Sequence, residues 1–225
     1  MAPSPQDRMI AEIEEEARAT AGYTGRPVFS GRVMAALRKV QREKFVPESE
    51  QDLAYVNGPL PIGHGQTISQ PYIVALMTEL IDPEPADVVL EIGTGSGYQA
   101  AVLAELVHEV YSIEVVPELA DEAARRLQRL GYRNVHVRSG DGNSGWPERA
   151  PYDSIVVTAG GRSVPPALVE QLKPGGRMII PVGPWPREQE LTVVEKDSAG
   201  AVSSRGILPV AFVPLVEERY RRPDR

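Results

Sequence analysis

The stretch VVLEIGTGSGYQ, residues 88–99, joins a short apolar run that ends in an acid to a turn rich in glycine. Such a pattern is typical of a buried strand that delivers a loop to the start of a helix, which residues 100–106 continue. Glycine allows the backbone to turn sharply and to approach a bound molecule closely. The stretch therefore predicts a nucleotide-type cradle. A tight turn without a ligand is the alternative, because short glycine patterns recur by chance.

The spacing of the glycines narrows the choice of nucleotide. A dinucleotide site requires GxGxxG, but here Tyr98 occupies the third glycine position, so NAD and a dehydrogenase are disfavoured. Glu91 stands two residues before Gly93 and can pair with a cationic or hydrogen-bond-donating ligand. The pattern ExGxGxG resembles the first motif of class I S-adenosylmethionine-dependent methyltransferases. That resemblance implies a cofactor cradle built from Glu91, Gly93, Thr94, Gly95, Ser96 and Gly97.

Length and composition are those of an ordinary globular chain. The 225 residues suffice for one sizeable α/β domain, and 42% of them are hydrophobic. A net charge of −7 argues against nucleic acid as a partner. We expect a cytoplasmic protein that contacts no membrane, because no apolar run approaches the roughly 20 residues that span a bilayer and the N-terminus lacks a signal peptide's apolar core. Zero cysteines and three scattered histidines predict no metal site.

Hydrophobic periodicity predicts helices before the cradle. Residues 1–20 carry apolar positions at helical spacing among acidic residues, Ser30 is a plausible N-cap for the next helix, and residues 71–80 resume helical spacing. Between them, NGPLPIGHGQTIS at 57–69 is too rich in glycine and proline for regular structure. Its length predicts a functional loop.

Strand and helix patterns alternate after the cradle. Strands are predicted at 109–113, 134–138, 152–158 and 177–182, helices at 117–130 and 167–172, and strand-like tail segments at 191–195, 202–208 and 211–216. This alternation predicts an α/β fold: a doubly wound, mostly parallel, seven-stranded Rossmann-like sheet with helices on both faces. An N-terminal helical extension and an antiparallel C-terminal strand region complete it. We expect residues 1–81 to pack on a cofactor-binding core of residues 82–225, in one compact domain.

Acidic residues close two of these strands, at the edge where ligands bind in open parallel sheets. Glu114 lies 21 residues after Gly93, which suits an acid that accepts hydrogen bonds from both ribose hydroxyls. The alternative role of Glu114 is that of a solvated charge where the next helix begins. Asp141, followed by Gly142, can reach an adenine amino group, but Asp-Gly is also ordinary Asx-turn chemistry.

Longer segments resemble one methyltransferase family. They are REKFVPE at 42–48, LPIGHGQTISQPYIVALMTELI at 60–81, VLEIGTGSGYQAAVLAEL at 89–106, GDG at 140–142, LKPGGRMIIPVG at 172–183 and FVPLV at 212–216. Together they resemble the protein-L-isoaspartate O-methyltransferases from about residue 30 to residue 216. GQTIS followed by QPY is the most specific of these signals.

The resemblance implies protein repair. A methyl group passes from S-adenosyl-L-methionine, leaving S-adenosyl-L-homocysteine, to the free carboxylate of L-isoaspartyl residues in damaged proteins and peptides, and in some members to D-aspartyl residues. The ester collapses without further enzyme help to a succinimide, which hydrolyses partly to normal aspartate. We expect a monomer.

The resemblance also implies an active-site residue, because the serine of the family's TIS motif falls on Ser69. A carboxylate is already ionised at pH 7, so methyl transfer needs alignment rather than a strong base, and a hydroxyl can orient it. Gln66, Thr67 and Ile68 are expected to bind substrate, whereas His64 is a loop residue. The alternative for Ser69 is a helix cap ahead of Pro71.

Two departures from the family pattern concern the substrate rather than the reaction. Val56-Asn57-Gly58 stands where an acidic residue is expected, and AGGRSVP at 159–165 replaces the more usual AAPEIP. Both segments fall near the expected peptide groove. Two alternatives therefore stay open: a related carboxyl methyltransferase with one dedicated peptide substrate, and a cofactor-binding regulatory protein without turnover.

Overall fold

The N-terminal part of the chain is helical. A computed structural model describes residues 2–184 and 188–215, and its first four helices are α1 (Pro5–Ala19), α2 (Ala21–Thr24), α3 (Gly31–Lys39) and α4 (Pro71–Leu80). Ser4 and Asp7 form a capping box at the start of α1, and the Ser30 hydroxyl accepts a hydrogen bond from the Val33 N–H. The helices predicted within residues 1–20, after Ser30 and at 71–80 are confirmed, as is the Ser30 cap, whereas α2 was not predicted. Two short 3₁₀ helices, at Arg42–Phe45 and Glu48–Leu53, follow α3.

The segment 57–69 is more regular than predicted. It contains an antiparallel hairpin of β1 (Leu60–Gly63) and β2 (Gln66–Ile68), so the prediction that it lacks regular structure is wrong. The turn residues His64 and Gly65 have φ angles of 52° and 68°. Left-handed conformation at both turn positions gives the twist that a two-residue hairpin needs.

Within the described residues the central sheet has seven strands, and the predicted fold class is confirmed. They are β3 (Val88–Ile92), β4 (Glu109–Glu114), β5 (Val135–Ser139), β6 (Tyr152–Val157), β7 (Leu172–Val182), β8 (Gln189–Lys196) and β9 (Val202–Val210), with α5 (Tyr98–Ala104), α6 (Pro117–Arg129) and α7 (Pro166–Gln171) between them. The strand order is β5-β4-β3-β6-β7-β8-β9. The strands from β5 to β7 pair in parallel, and β8 and β9 pair antiparallel. The chain leaves β3 in one direction and returns to its other side at β6, which makes a topological switch point there.

Two predicted strand limits in the C-terminal half are wrong. The structure starts β7 at Leu172 rather than at Arg177, and a register shift against β6 accommodates the Lys-Pro-Gly-Gly run. Residues 211–215 form no strand but a single bridge between Gly160 and Pro214, and Val216 lies outside the described residues.

Apolar side chains cover both faces of the sheet. In β3, Val89 packs in one cluster with residues of α1, α3 and α4, whereas Leu90 and Ile92 pack in a second cluster with residues of α7. This alternation is the period-two pattern of a strand buried on both faces. Residues from the first 81 positions thus share a core with the sheet and hold the β1–β2 hairpin near the carboxyl ends of its strands.

Candidate active site

A cleft lies beyond the carboxyl ends of β3, β4 and β6, at the switch point of the sheet. The glycine loop after β3, the end of β4, and Thr158 after β6 line its floor, and the β1–β2 hairpin and Val213–Leu215 line its walls. Of the residues predicted to bind cofactor or substrate, the cleft brings together Gln66, Thr67, Gly93, Gly95, Glu114 and Gly142.

The first two glycines of the loop occupy positions where a side chain would be strained. Gly93 has a φ of 96°, and a Cβ there would lie 2.4 Å from the Thr158 Oγ1. Gly95 has a φ of 51°, and a Cβ there would lie 3.3 Å from the Ile62 Cδ1 of the hairpin. Both positions combine a left-handed backbone with close neighbours, which glycine alone accepts without strain.

Glu91 lies beneath the glycine loop rather than among the residues that line the cleft, and its contact with a cofactor stays a prediction. Its side chain is fully buried, outside the cleft, and one carboxylate oxygen accepts a hydrogen bond from the Ser112 hydroxyl. The Ser112 Oγ in turn lies 2.6 Å from the Thr94 Oγ1. Burial raises the pKa of Glu91 to about 8, while the Ser112 hydrogen bond lowers it and the Glu114 charge raises it. Glu91 thus supports the loop through Ser112 and Thr94.

Two more predicted cradle residues face α6 instead of the cleft. The Ser96 carbonyl accepts a hydrogen bond of 2.8 Å from the Arg126 Nη1. Gly97 is the N-cap of α5, and a Cβ there would lie 3.1 Å from the Leu127 Cδ1. These contacts hold the start of α5 against α6 and leave the preceding turn to line the cleft.

Glu114 ends β4 with its carboxylate at the cleft. One oxygen accepts a hydrogen bond of 2.8 Å from the Gly95 N–H, and the other accepts one of 3.0 Å from the Val116 N–H. The side chain is only 5% exposed. The predicted alternative, a solvated charge at a helix entry, is therefore wrong, because backbone donors hold this carboxylate in place.

Asp141 forms an Asx turn, which was the alternative to a contact with the adenine amino group. Its Oδ1 accepts hydrogen bonds of 2.9 Å from both the backbone N–H and the side-chain amide of Asn143. The next residue, Gly142, lines the cleft, and a Cβ there would lie 2.3 Å from the Ile92 Cγ2. The turn thus brings the Gly142 backbone to the cleft, and a contact between Asp141 and a ligand stays a prediction.

Thr158 and the C-terminal segment are cleft residues that the sequence analysis did not assign. The Thr158 hydroxyl donates to the Gly93 carbonyl at 2.7 Å and to the Ile92 carbonyl at 3.1 Å, so it ties β6 to the glycine loop. The Gly160 N–H donates to the Val213 carbonyl and the Leu215 N–H donates to the Gly160 carbonyl, each at 2.8 Å. A hydroxyl residue directly after the strand that neighbours β3 is a signal that could have pointed to Thr158.

The hairpin contributes only part of the predicted substrate-binding set. Gln66 and Thr67 line the cleft, whereas the side chain of Ile68 is 3% exposed and packs in the hydrophobic core. Ile68 therefore does not line the cleft, and its part in substrate binding stays a prediction. His64 is exposed at the turn, in agreement with its prediction as a loop residue.

Ser69 is not a helix cap, which removes its alternative role. The N-cap of α4 is Gln70, and the cap has no side-chain hydrogen bond of its own. The N–H of Tyr72, in the first turn of α4, donates instead to the Asn57 Oδ1 at 2.9 Å. Ser69 is half-buried between β2 and α4, directly after the hairpin that lines the cleft.

Comparison with known proteins decides the family. The model of the protein-L-isoaspartate(D-aspartate) O-methyltransferase family matches residues 23–220. The chain belongs to this family. It is 59% identical to protein-L-isoaspartate O-methyltransferase 2 of Syntrophobacter fumaroxidans over 92% of this chain and 84% of that one. It is 58% identical to protein-L-isoaspartate O-methyltransferase 2 of a Polaromonas species over 94% of this chain and all of that one.

Solved structures of the family share the fold. A protein-L-isoaspartate O-methyltransferase that is 30% identical superposes with a TM-score of 0.82, covering 95% of this chain and 66% of that chain. A Plasmodium falciparum structure titled as a putative family member in complex with S-adenosyl-L-homocysteine is 24% identical, with a TM-score of 0.74 over 92% of this chain and 97% of that one. The second likeness concerns the fold alone.

Across residues 2–184 and 188–215, no helix is both long and apolar enough to cross a membrane. The same residues contain no group of three or more histidine, aspartate or glutamate side chains placed to hold a metal ion.

Proposed function

We propose that the cleft binds S-adenosyl-L-methionine and that the β1–β2 hairpin and Ser69 present an isoaspartyl carboxylate to it. The chain is a protein-L-isoaspartate O-methyltransferase by family and by its relatives of 57–59% identity. The observation that carries the proposal is the meeting of Glu114, the glycine loop and the hairpin at one switch-point cleft.

The lining of the cleft fits this cofactor. At Gly93 and Gly142 the neighbours leave no room for a side chain, and at Gly95 the backbone is left-handed, so the main chain is open to a planar or extended ligand. Glu114 offers a carboxylate for ribose hydroxyls, and Asp141 offers one for an adenine amino group. Glu91, Thr94, Ser96 and Gly97 act indirectly in this proposal, because they shape the loop from below and from the side of α6.

The residues around the reacting carboxylate have to align it rather than activate it. When bound, S-adenosylmethionine supplies an electrophilic methyl group on its sulfonium. A free carboxylate is ionised at pH 7, so this chain needs no general base for the transfer. Ser69 donates a hydrogen bond that orients the carboxylate, and Gln66 and Thr67 help to exclude water from it.

The proposed substrates are L-isoaspartyl residues, with D-aspartyl residues as a second group, in damaged proteins and peptides. The methyl ester leaves the enzyme and closes to a succinimide, as the neighbouring backbone nitrogen attacks the ester carbonyl and expels methanol, without help from the protein. No observation favours a single dedicated peptide. A monomeric, cytoplasmic enzyme remains our prediction.

The test is transfer of tritiated methyl groups to paired peptides that differ only in aspartate or isoaspartate. We expect label in base-labile ester on isoaspartyl peptides of several unrelated sequences, and none on the aspartyl partners. Labelling of one sequence alone would indicate the dedicated enzyme. Binding of S-adenosylhomocysteine without labelling of any peptide would contradict the proposed function and favour a regulatory protein.

A further inference from the structure

One carboxylate of α1 joins both ends of the segment that carries the hairpin. We call residues 57–70 the hairpin loop. At its start, the Asn57 Nδ2 donates to the Glu16 Oε2 at 2.8 Å, and at its end the Gln70 Nε2 donates to the same oxygen at 2.9 Å. These partners lie 41 and 54 residues from Glu16 along the chain.

The same contacts extend to the first turn of α4. Asn57 uses its other side-chain atom, Oδ1, to accept the hydrogen bond from the Tyr72 N–H. The Tyr72 hydroxyl lies 2.5 Å from the Thr20 Oγ1, at the C-terminal end of α1. The end of α1 therefore holds both the entry to the hairpin loop and the start of α4, and Ser69 lies between these two fixed points.

Glu16 acts here as an acceptor for amides rather than as half of an ion pair. The ion pairs found within residues 2–184 and 188–215 do not include it. Burial raises the pKa of its carboxyl above the usual range, while the hydrogen bonds from Asn57 and Gln70 lower it. Burying half of the Glu16 carboxylate costs solvation free energy, which the hydrogen bonds from the two amides offset. Removing the carboxylate therefore leaves the side-chain amides of Asn57 and Gln70 without their acceptor.

We propose that Glu16 is a positioning residue for methyl transfer. By holding Asn57 and Gln70 on one oxygen, it fixes the hairpin loop so that Ser69 meets the substrate carboxylate. This inference rests on the proposed function of Ser69. Displacement of an aligned group by about 1 Å can lower a rate by about a hundredfold, so a loop held at both ends matters more for turnover than for folding.

Other contacts keep the loop folded when Glu16 is replaced. The β1–β2 pairing is local, and the Arg42 Nη2 donates to the Gly58 carbonyl at 3.2 Å. Glu15, the residue before Glu16 on α1, is exposed. Glu15→Ala is therefore a matched control that changes the charge and helix propensity of α1 by the same amount.

The experiment compares Glu16→Ala, Glu16→Gln and Glu15→Ala in full-length protein. We expect Glu16→Ala to lower kcat/KM for an isoaspartyl peptide by at least about tenfold, mostly through kcat, because misaligned bound substrate reacts slowly. Glu16→Gln keeps an acceptor oxygen and should lose less. Glu15→Ala should match the wild type, and the Kd for S-adenosylhomocysteine should stay within about twofold in all three.

A double-mutant cycle identifies the route of the effect. In an Asn57→Ala background, Glu16→Ala should cost much less than it does alone, because the two residues act through one contact. Wild-type kcat/KM in Glu16→Ala, full additivity with Asn57→Ala, or an equal loss of kcat/KM and cofactor affinity would overturn the positioning role. Failure of the wild type itself to methylate isoaspartyl peptides would instead overturn the proposed function, together with the catalytic part of this inference.

Discussion

The glycine loop and the hairpin loop line the same cleft, but different interactions hold them. The glycine loop is held by its own neighbours in the sheet: Thr158 and Glu114 bond to its backbone from adjacent strand ends. The hairpin loop is held at both ends by one side chain of α1, Glu16, and α1 lies outside the sheet. The comparison teaches that the proposed cofactor side is built into the sheet, whereas the proposed substrate side depends on an appended helix.

The largest effect is expected from a substitution that disrupts the glycine loop and leaves the hairpin loop intact. A valine at Gly95 would require a left-handed backbone at a β-branched residue, and its Cβ would lie 3.3 Å from Ile62. We expect Gly95→Val to abolish S-adenosylhomocysteine binding in calorimetric titration while circular dichroism shows a folded protein. Gly131→Val is the control, since Gly131 has a φ of 89° and nothing within 4 Å of its Cβ position, so it should lose stability and keep affinity. Undiminished affinity in Gly95→Val would remove the loop from the cofactor site.

A smaller loss should follow from Glu114→Ala. Losing charge-assisted hydrogen bonds to two ribose hydroxyls costs about 2–4 kcal/mol, which weakens cofactor affinity by about 30-fold or more. The affinity for a 2′-deoxy cofactor should fall less than the affinity for the normal cofactor when Glu114 is replaced by alanine. Glu109→Ala changes the same residue type at the opposite end of β4 and should leave affinity unchanged. Equal losses for both cofactors would place the carboxylate elsewhere.

Ser69→Gly and Ser69→Ala test the hairpin side of the comparison. Because Gln70 rather than Ser69 is the N-cap of α4, neither change should shift the Tm. We expect kcat/KM for an isoaspartyl peptide to fall by at least about tenfold, or about 1.4 kcal/mol, with cofactor affinity unchanged.

The control for Ser69 is a serine that does cap a helix. Ser30→Ala should lose about 1 kcal/mol of stability without change in kcat/KM, since Ser30 accepts from the Val33 N–H far from the cleft. The catalytic assignment of Ser69 fails if both Ser69 variants keep wild-type kcat/KM.

The last prediction concerns the support beneath the glycine loop and the pH dependence of its contribution to stability. A carboxyl whose pKa rises from 4.5 to about 8 on folding contributes stability that is fully present below pH 4.5 and is lost as the pH rises towards 8. Glu91→Gln cannot ionise, so its stability relative to the wild type should increase by at most about 1.4 kcal/mol per pH unit in that window. Denaturant unfolding at pH 5, 6 and 7 measures this difference. A constant difference across that range would mean that Glu91 folds with an ordinary pKa.

The sequence by itself determined the parallel sheet, the order of its strands and helices along the chain, and the family. The apolar run of β3 and the helical spacing of α4 are local patterns that burial imposes on the chain. The glycine pattern and GQTIS identified the two loops of the cleft for the same reason, since each motif is continuous in sequence. The turn at His64 and Gly65 was also a local signal, but its hairpin was not predicted.

Only the tertiary structure decided which side chains face the cleft and what holds the hairpin loop. Glu91 and Ile68 are buried, and Asn57 replaces Ser69 as the partner of the first turn of α4. The bond from Gln70 to Glu16 joins residues 54 positions apart. Periodicity reports which residues are buried, but a hydrogen bond between distant residues depends on how the helices pack, and no local pattern carries that information.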